Sequence, residues 1–134
     1  MRLLLDTQIV QWLALKPEFL SRGEQRILND TRNDYVVSAV SIWEMRLKWQ
    51  SSYRSGQPKG EADPQNIIEL LSHSRLAYQR LPLTFEHCTA VLATGLDHND
   101  PFDRLLLAQA QVEGLRLLTR DAKFDGHPLA IIAA

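Results

Sequence analysis

Cysteine is almost missing from these 134 residues: Cys88 stands alone, so no internal disulfide can form and a reducing compartment is expected. No apolar run reaches membrane-spanning length. The start, Met1-Arg2-Leu3-Leu4-Leu5, is interrupted by Asp6 too early for a signal peptide. The expectation is a cytoplasmic protein with no membrane partner. Glycine-rich phosphate loops are missing too, neither GxGxxG nor a P-loop being present, which argues against a nucleotide-binding module. The histidines, His73, His87, His98 and His127, show no metal-ligand spacing, so zinc is not expected. There is no repeat, and the net charge of −1 gives no overall pull towards nucleic acid.

What remains is an ordinary globular composition, 45% hydrophobic and 23% charged, of a length that suits one domain spanning residues 1–134. Hydrophobic periodicity and breaker residues divide it into strands and helices. Arg2–Leu5 reads as a buried strand and Thr7–Leu15 as a helix stopped by Pro17. Ser21–Asp30 is helical, Tyr35–Ser38 a strand, and Val40–Gln50 a helix with an apolar stripe of Ile42, Trp43, Met45, Leu47 and Trp49. Ser51–Pro64 is a surface loop, and Pro64 opens a helix to about His73. A strand over Ala77–Leu81 and a helix over Thr84–Gly95 follow, the latter holding Cys88 as a small core residue. Asp100-Pro101 opens a well-defined helix that ends at Gly114, and the strands Arg116–Thr119 and Leu129–Ile132 complete the chain. Strands alternating with helices imply a mostly parallel α/β sheet, which binds ligands beyond the carboxyl ends of its strands.

Four acidic blocks run through this pattern: Leu3-Leu4-Leu5-Asp6-Thr7, Ser41-Ile42-Trp43-Glu44-Met45, Asp100-Pro101-Phe102-Asp103-Arg104 and Leu118-Thr119-Arg120-Asp121. Each acid has a local explanation. Asp6 is placed to cap the helix after it, and Thr119 with Asp121 to cap the turn towards Phe124. Asp100 as N-cap, Pro101 at N1 and Asp103 at N3 make a helix start favoured by the helix dipole. Glu44 cannot be a cap; its local role is an exposed pair with Lys48 at i,i+4. Together they admit a second reading, in which the acids converge at one sheet edge. Converging carboxylates repel and call for a divalent cation. With oxygen ligands alone that ion would be Mg²⁺ or Mn²⁺, serving phosphodiester hydrolysis. Two basic groups, Arg46, Lys48, Arg54 and Lys59 and then Arg116, Arg120 and Lys123, would hold phosphates if they line the same site, although composition favours a solvated surface.

The chain resembles the PIN-domain nucleases, and among them the VapC-type toxins of bacterial toxin–antitoxin pairs. The resemblance rests on Leu3–Thr7, on Val37-Ser38-Ala39-Val40-Ser41-Ile42-Trp43-Glu44, on His98-Asn99-Asp100-Pro101-Phe102-Asp103-Arg104-Leu105-Leu106, on Ala108-Gln109-Ala110 and on Leu117–Asp121. It implies an α/β/α sandwich with a central, mostly parallel sheet and Mg²⁺- or Mn²⁺-dependent endonucleolytic cleavage of RNA. Asp6, Glu44, Asp103 and Asp121 match the acidic quartet, with Asp6 and Asp103 as the direct metal ligands. Glu44 and Asp121 are either bound to the metal through water or position the attacking water, and Asp100, one helical turn before Asp103, is a candidate to join them. Thr7 and Thr119 match hydroxyls beside the quartet, and Lys48, Arg104 and Arg120 join them as substrate-binding candidates. Gln8 departs from the histidine common in this branch, which affects a substrate contact rather than the metal site. His98 is the one histidine expected near the site.

The implied partners are a small DNA-binding antitoxin and a second copy of the chain, in a homodimer and a toxin–antitoxin hetero-oligomer. Trp12, Trp43, Trp49 and Tyr53 are candidates for the antitoxin groove; packing favours the core for Trp43 and leaves the other three open. Two competing readings stand beside this one. A haloacid-dehalogenase-like phosphatase would need an acid where Gln8 stands. A catalytically inactive PIN-like module would bind RNA or protein without cutting.

Overall fold

The computed structural model describes residues 1–97 and 100–134. The expectation for His98 therefore lies outside the described residues. Five strands, β1 (Arg2–Leu5), β2 (Asp34–Ser38), β3 (Tyr78–Leu81), β4 (Arg116–Thr119) and β5 (Ala130–Ile132), form one all-parallel sheet in the order β3-β2-β1-β4-β5. The helices are α1 (Thr7–Leu15), α2 (Arg22–Asn29), α3 (Ala39–Gln50), α4 (Pro64–Ser72), α5 (Phe85–Thr89) and α6 (Pro101–Glu113). The chain winds outward from β1 in both directions, so the switch point lies between β1 and β4.

Burial explains the central strand. Leu3, Leu4 and Leu5 are all 0% exposed, as a continuous apolar run must be when helices cover both faces of a sheet. Strand alternation sorts them into two cores. Leu3 and Leu5 pack with Ile9, Val10, Leu28, Met45, Ile67 and Leu71 on one face. Leu4 packs with Val36, Val40, Leu106, Leu107, Ala110 and Phe124 on the other. The result is the expected α/β/α sandwich.

Helix boundaries follow the capping chemistry closely. Asp100 accepts from the amides of Phe102 and Asp103, Pro101 occupies N1 of α6, and Gly114 ends the helix at φ 67°. That left-handed conformation is one that a side chain would resist. In α2, Ser21 and Glu24 form a reciprocal capping box.

Two helices depart from expectation. The helix expected over Thr84–Gly95 stops at Thr89. Short helices depend on a packed apolar face, and only His87 of this one is buried, Phe85 and Val91 being 92% and 85% exposed. Cys88 is accordingly at the surface rather than in the core. In α3 the supposed apolar stripe is the inner face only in part, Met45 being its one buried member. Trp43 is 56% exposed, against expectation, while Val40, Ser41, Glu44 and Met45 are buried. Apolar residues lie all round this helix, so periodicity alone could not choose its inner face; contact with Thr7 of α1 decides it.

Candidate active site

Asp6 leaves the carboxyl end of β1 and caps α1, accepting from the Thr7 amide at 2.8 Å. Its other oxygen accepts from the Thr119 hydroxyl, at the end of β4, at 2.6 Å. The Asp6 amide donates to the Leu118 carbonyl at 3.0 Å, so the two strand ends are tied at the switch point. Thr119 also accepts from the Asp121 amide at 3.1 Å, while Asp121 caps the short turn Ala122–Phe124 through the Lys123 amide. The capping roles are real, and they are what aims these acids.

Glu44 reaches the same place from α3. It is 8% exposed and accepts from the Thr7 hydroxyl at 2.8 Å and from Lys48 Nζ at 2.8 Å. The single Thr7 proton goes to Glu44, so the Ser41 hydroxyl, 2.9 Å away, donates to Thr7. The Glu44–Lys48 pair exists, but half of it is buried. α6 supplies Asp100 and Asp103 from its first turn.

These side chains line one cleft of about 380 Å³, together with Gln8, Gln11, Trp12, Arg120 and Lys123. The electrostatics are those of crowded carboxylates. Asp103 is pushed from 3.8 to about 7, first by burial and then by Asp100, Asp6, Glu44 and Asp121. Asp6 is also raised by burial, with Glu44 and Asp121 adding to the rise and the bonds from Thr119 and Thr7 opposing it. Among the described residues, no three acidic, histidine or cysteine side chains are already spaced to enclose a metal ion. The donor set nevertheless suits a hard divalent cation, being carboxylates and hydroxyls with no sulfur or imidazole among the cleft's lining residues.

The cleft gathers Asp6, Thr7, Glu44, Lys48, Asp100, Asp103, Arg120 and Asp121, and Thr119 lies beneath it bonded to Asp6. Arg104 falls elsewhere: it lines a separate cavity with His87, Cys88 and Leu105 on another side of α6. The N3 and N4 positions of a helix point in different directions, so Asp103 and Arg104 cannot both face one cleft. Sequence reasoning missed Gln11 and the role of Glu24. The Ser21-x-x-Glu24 capping signature was there to be read, but nothing local pairs Glu24 with Arg120, 96 positions away.

A three-layer parallel fold with an acidic, hydroxyl-braced cleft at its switch point defines a class of α/β proteins that gather carboxylates at one edge of the sheet. The family model for the PIN domain matches residues 3–128, and the chain belongs to that family. PIN domains are generally metal-dependent nucleases. No curated protein gives a significant sequence match. Among solved structures, the fold is similar to that of a chain in VapBC2 from Rickettsia felis bound to a DNA fragment from its promoter. The TM-score is 0.65 at 14% identity, over 100% of both chains. A chain in a toxin–antitoxin complex from Klebsiella pneumoniae gives 0.60 at 18% identity, covering 96% of this chain and 95% of that one. DNA-bound VapBC from Salmonella typhimurium gives 0.58 at 16%, covering 97% and 95%.

Proposed function

We propose that this chain is the VapC-type toxin of a type II toxin–antitoxin pair, an endoribonuclease that cuts RNA phosphodiester bonds with Mg²⁺ or Mn²⁺. One observation carries the reading: in a PIN domain, five carboxylates from four separate segments line a single cleft at the sheet's switch point. Asp6 and Asp103 would hold the cation, with Glu44, Asp121 and Asp100 beside them. When bound, the ion supplies charge neutralisation at the phosphate and activates water. The chain's own residues do the positioning. Thr119 fixes one oxygen of Asp6, and Thr7 fixes one oxygen of Glu44. That leaves Glu44 and Asp121 to orient the attacking water, and Lys48, held on Glu44, to meet the RNA backbone.

The antitoxin and a second copy of the chain are the proposed protein partners, supported by likeness to chains from toxin–antitoxin complexes. Trp43 sits beside a mainly apolar groove of about 630 Å³ between α3, α4 and the edge strand β3, a setting that fits an apolar partner segment. Tyr53 is exposed as well. A single domain working in the cytoplasm completes the proposal. No helix among the described residues is long and apolar enough to cross a membrane.

The competing reading is a PIN-like module that binds RNA or protein without cutting. It draws on the lack, among the described residues, of three acids already spaced for an ion. Purified protein should cut RNA in Mg²⁺ or Mn²⁺, and Asp6→Asn should abolish cutting while its melting curve remains cooperative. Equal cleavage by the variant, or by wild type in excess EDTA, would refute the nuclease reading.

A further inference from the structure

Arg120 is the residue of the cleft that is most firmly held. Its Nε donates to Glu24 Oε2 at 3.0 Å, and one terminal nitrogen donates both to Glu24 Oε1 and to the Phe19 carbonyl, the latter at 2.7 Å. The guanidinium lies over the Trp12 ring, 4.1 Å from its centroid. Glu24 is itself immobilised: it is 0% exposed and accepts from the Ser21 amide at 2.8 Å. The clamp consumes two of the three guanidinium nitrogens. The third, NH1, makes no hydrogen bond among the described residues, and the Arg120 side chain remains 37% exposed where it lines the acidic cleft.

Holding a surface arginine against a buried glutamate is a large investment if the only return is to tether α2 to β4. A buried carboxylate must be paired, but an aliphatic contact would join the same elements without that requirement. The neighbours of Arg120 in the chain suggest what else it does. Thr119 bonds Asp6, and Asp121 belongs to the carboxylate cluster. An anion on the third nitrogen would thus sit directly beside the cluster, where an RNA strand crossing it presents its next phosphate. A pre-oriented guanidinium loses little freedom on meeting that phosphate. Of the other bases in the cleft, Lys48 is engaged by Glu44 and Lys123 is an exposed side chain on a short turn.

We propose that Arg120 is the subsite for the RNA phosphate next to the scissile one, and that Glu24, with Trp12, is the positioning residue that aims it. This rests on the ribonuclease reading above. The balancing charge of Glu24 limits the gain to roughly that of one charged hydrogen bond, about tenfold in affinity.

The test uses the full chain and a fluorescein-labelled, cleavage-resistant phosphorothioate single-stranded RNA in Mg²⁺, with binding followed by anisotropy at several salt concentrations. Arg120→Gln should weaken binding about tenfold and reduce the slope of log K against log salt by about 0.7, the loss of one single-strand phosphate contact. In cleavage of unmodified RNA, the same variant should raise KM more than it lowers kcat. Because a lone Glu24 would be left buried, the double variant Glu24→Gln with Arg120→Gln is run beside it. Its two amides can bond each other without charge, and it should show the same loss of slope in a folded protein. Wild-type affinity and slope in a folded variant would reduce the clamp to a structural tie and overturn the inference, leaving the nuclease reading intact. If wild type neither binds nor cuts RNA, both fall together. If wild type binds but does not cut, and the variants lose slope, Arg120 is a phosphate contact with no scissile neighbour, and the inference falls with the catalytic reading.

Discussion

Replacing Asp103 by Asn should make the protein more stable and less active, and the size of the gain should depend on pH. Asp103 is driven from 3.8 to about 7 by burial and by four neighbouring carboxylates. At about 1.4 kcal/mol per pH unit, that rise corresponds to a cost of about 4 kcal/mol for ionising it in the folded protein. The side chain is only half-buried, and solvent screening cuts the usable figure to about 1–2 kcal/mol. The sign follows from proton counting. Between 3.8 and about 7 the folded state holds a proton that the unfolded state has released, so wild-type stability falls as pH rises through this window. Asn carries no charge and escapes the loss. Thermal melts in EDTA should therefore show Asp103→Asn close to wild type near pH 4 and higher by roughly 3–8 °C at pH 8. Adding Mg²⁺ at pH 8 should raise the wild-type midpoint and leave the variant nearly unmoved, since binding to the folded state alone stabilises it by mass action. A variant less stable than wild type at pH 8, or an equal magnesium response in both proteins, would refute the argument.

Three further perturbations probe the surroundings of the cleft. Burial pushes the Glu24 carboxyl up, but bonds from Arg120 and the Ser21 amide, with the Arg120 charge, outweigh it and hold it below 4.5. Its contribution is thus present above 4.5 and lost as pH falls through the lowered folded value. Glu24→Gln should cost about 2–3 kcal/mol at pH 7 by urea unfolding, with a difference from wild type that shrinks in acid. Thr7→Val removes the hydroxyl that serves Glu44 and receives Ser41; it should cost about 1–2 kcal/mol and lower kcat more than it raises KM. In Gly23→Ala, the new Cβ would lie 2.2 Å from the Ala134 carbonyl oxygen, which accepts from the Gly23 amide. The C-terminal residues should detach, and amide exchange at Gly23 and along the start of α2 should quicken; unchanged protection would refute the contact.

Local chemistry was legible wherever a residue's role depends on its neighbours in the chain. Leu3-Leu4-Leu5 announces a strand covered on both sides, and Asp100-Pro101 with Gly114 brackets α6 by its caps. Asp6 and Asp121 could be placed at strand ends for the same reason. Glu44 was harder, because an acid one turn before a lysine looks the same whether it faces water or a cleft. Thr7, contributed by another helix, is what turns that strip inward. The overestimated helix at Thr84 and the misjudged Trp43 share a cause: propensity and periodicity describe a segment, while burial depends on what packs against it. The Glu24–Arg120 clamp joins two segments with no shared pattern, and only three-dimensional structure reveals it.

The bond from Thr119 to Asp6 also sets a condition in time. One partner is made 113 positions before the other, with Glu44 and Asp103 emerging between them. A growing chain therefore carries scattered acids and no cleft until β4 has left the ribosome and slotted in beside β1. Contacts this distant in sequence form late in folding. Whatever the cleft does, it cannot begin before β4 has taken its place beside β1.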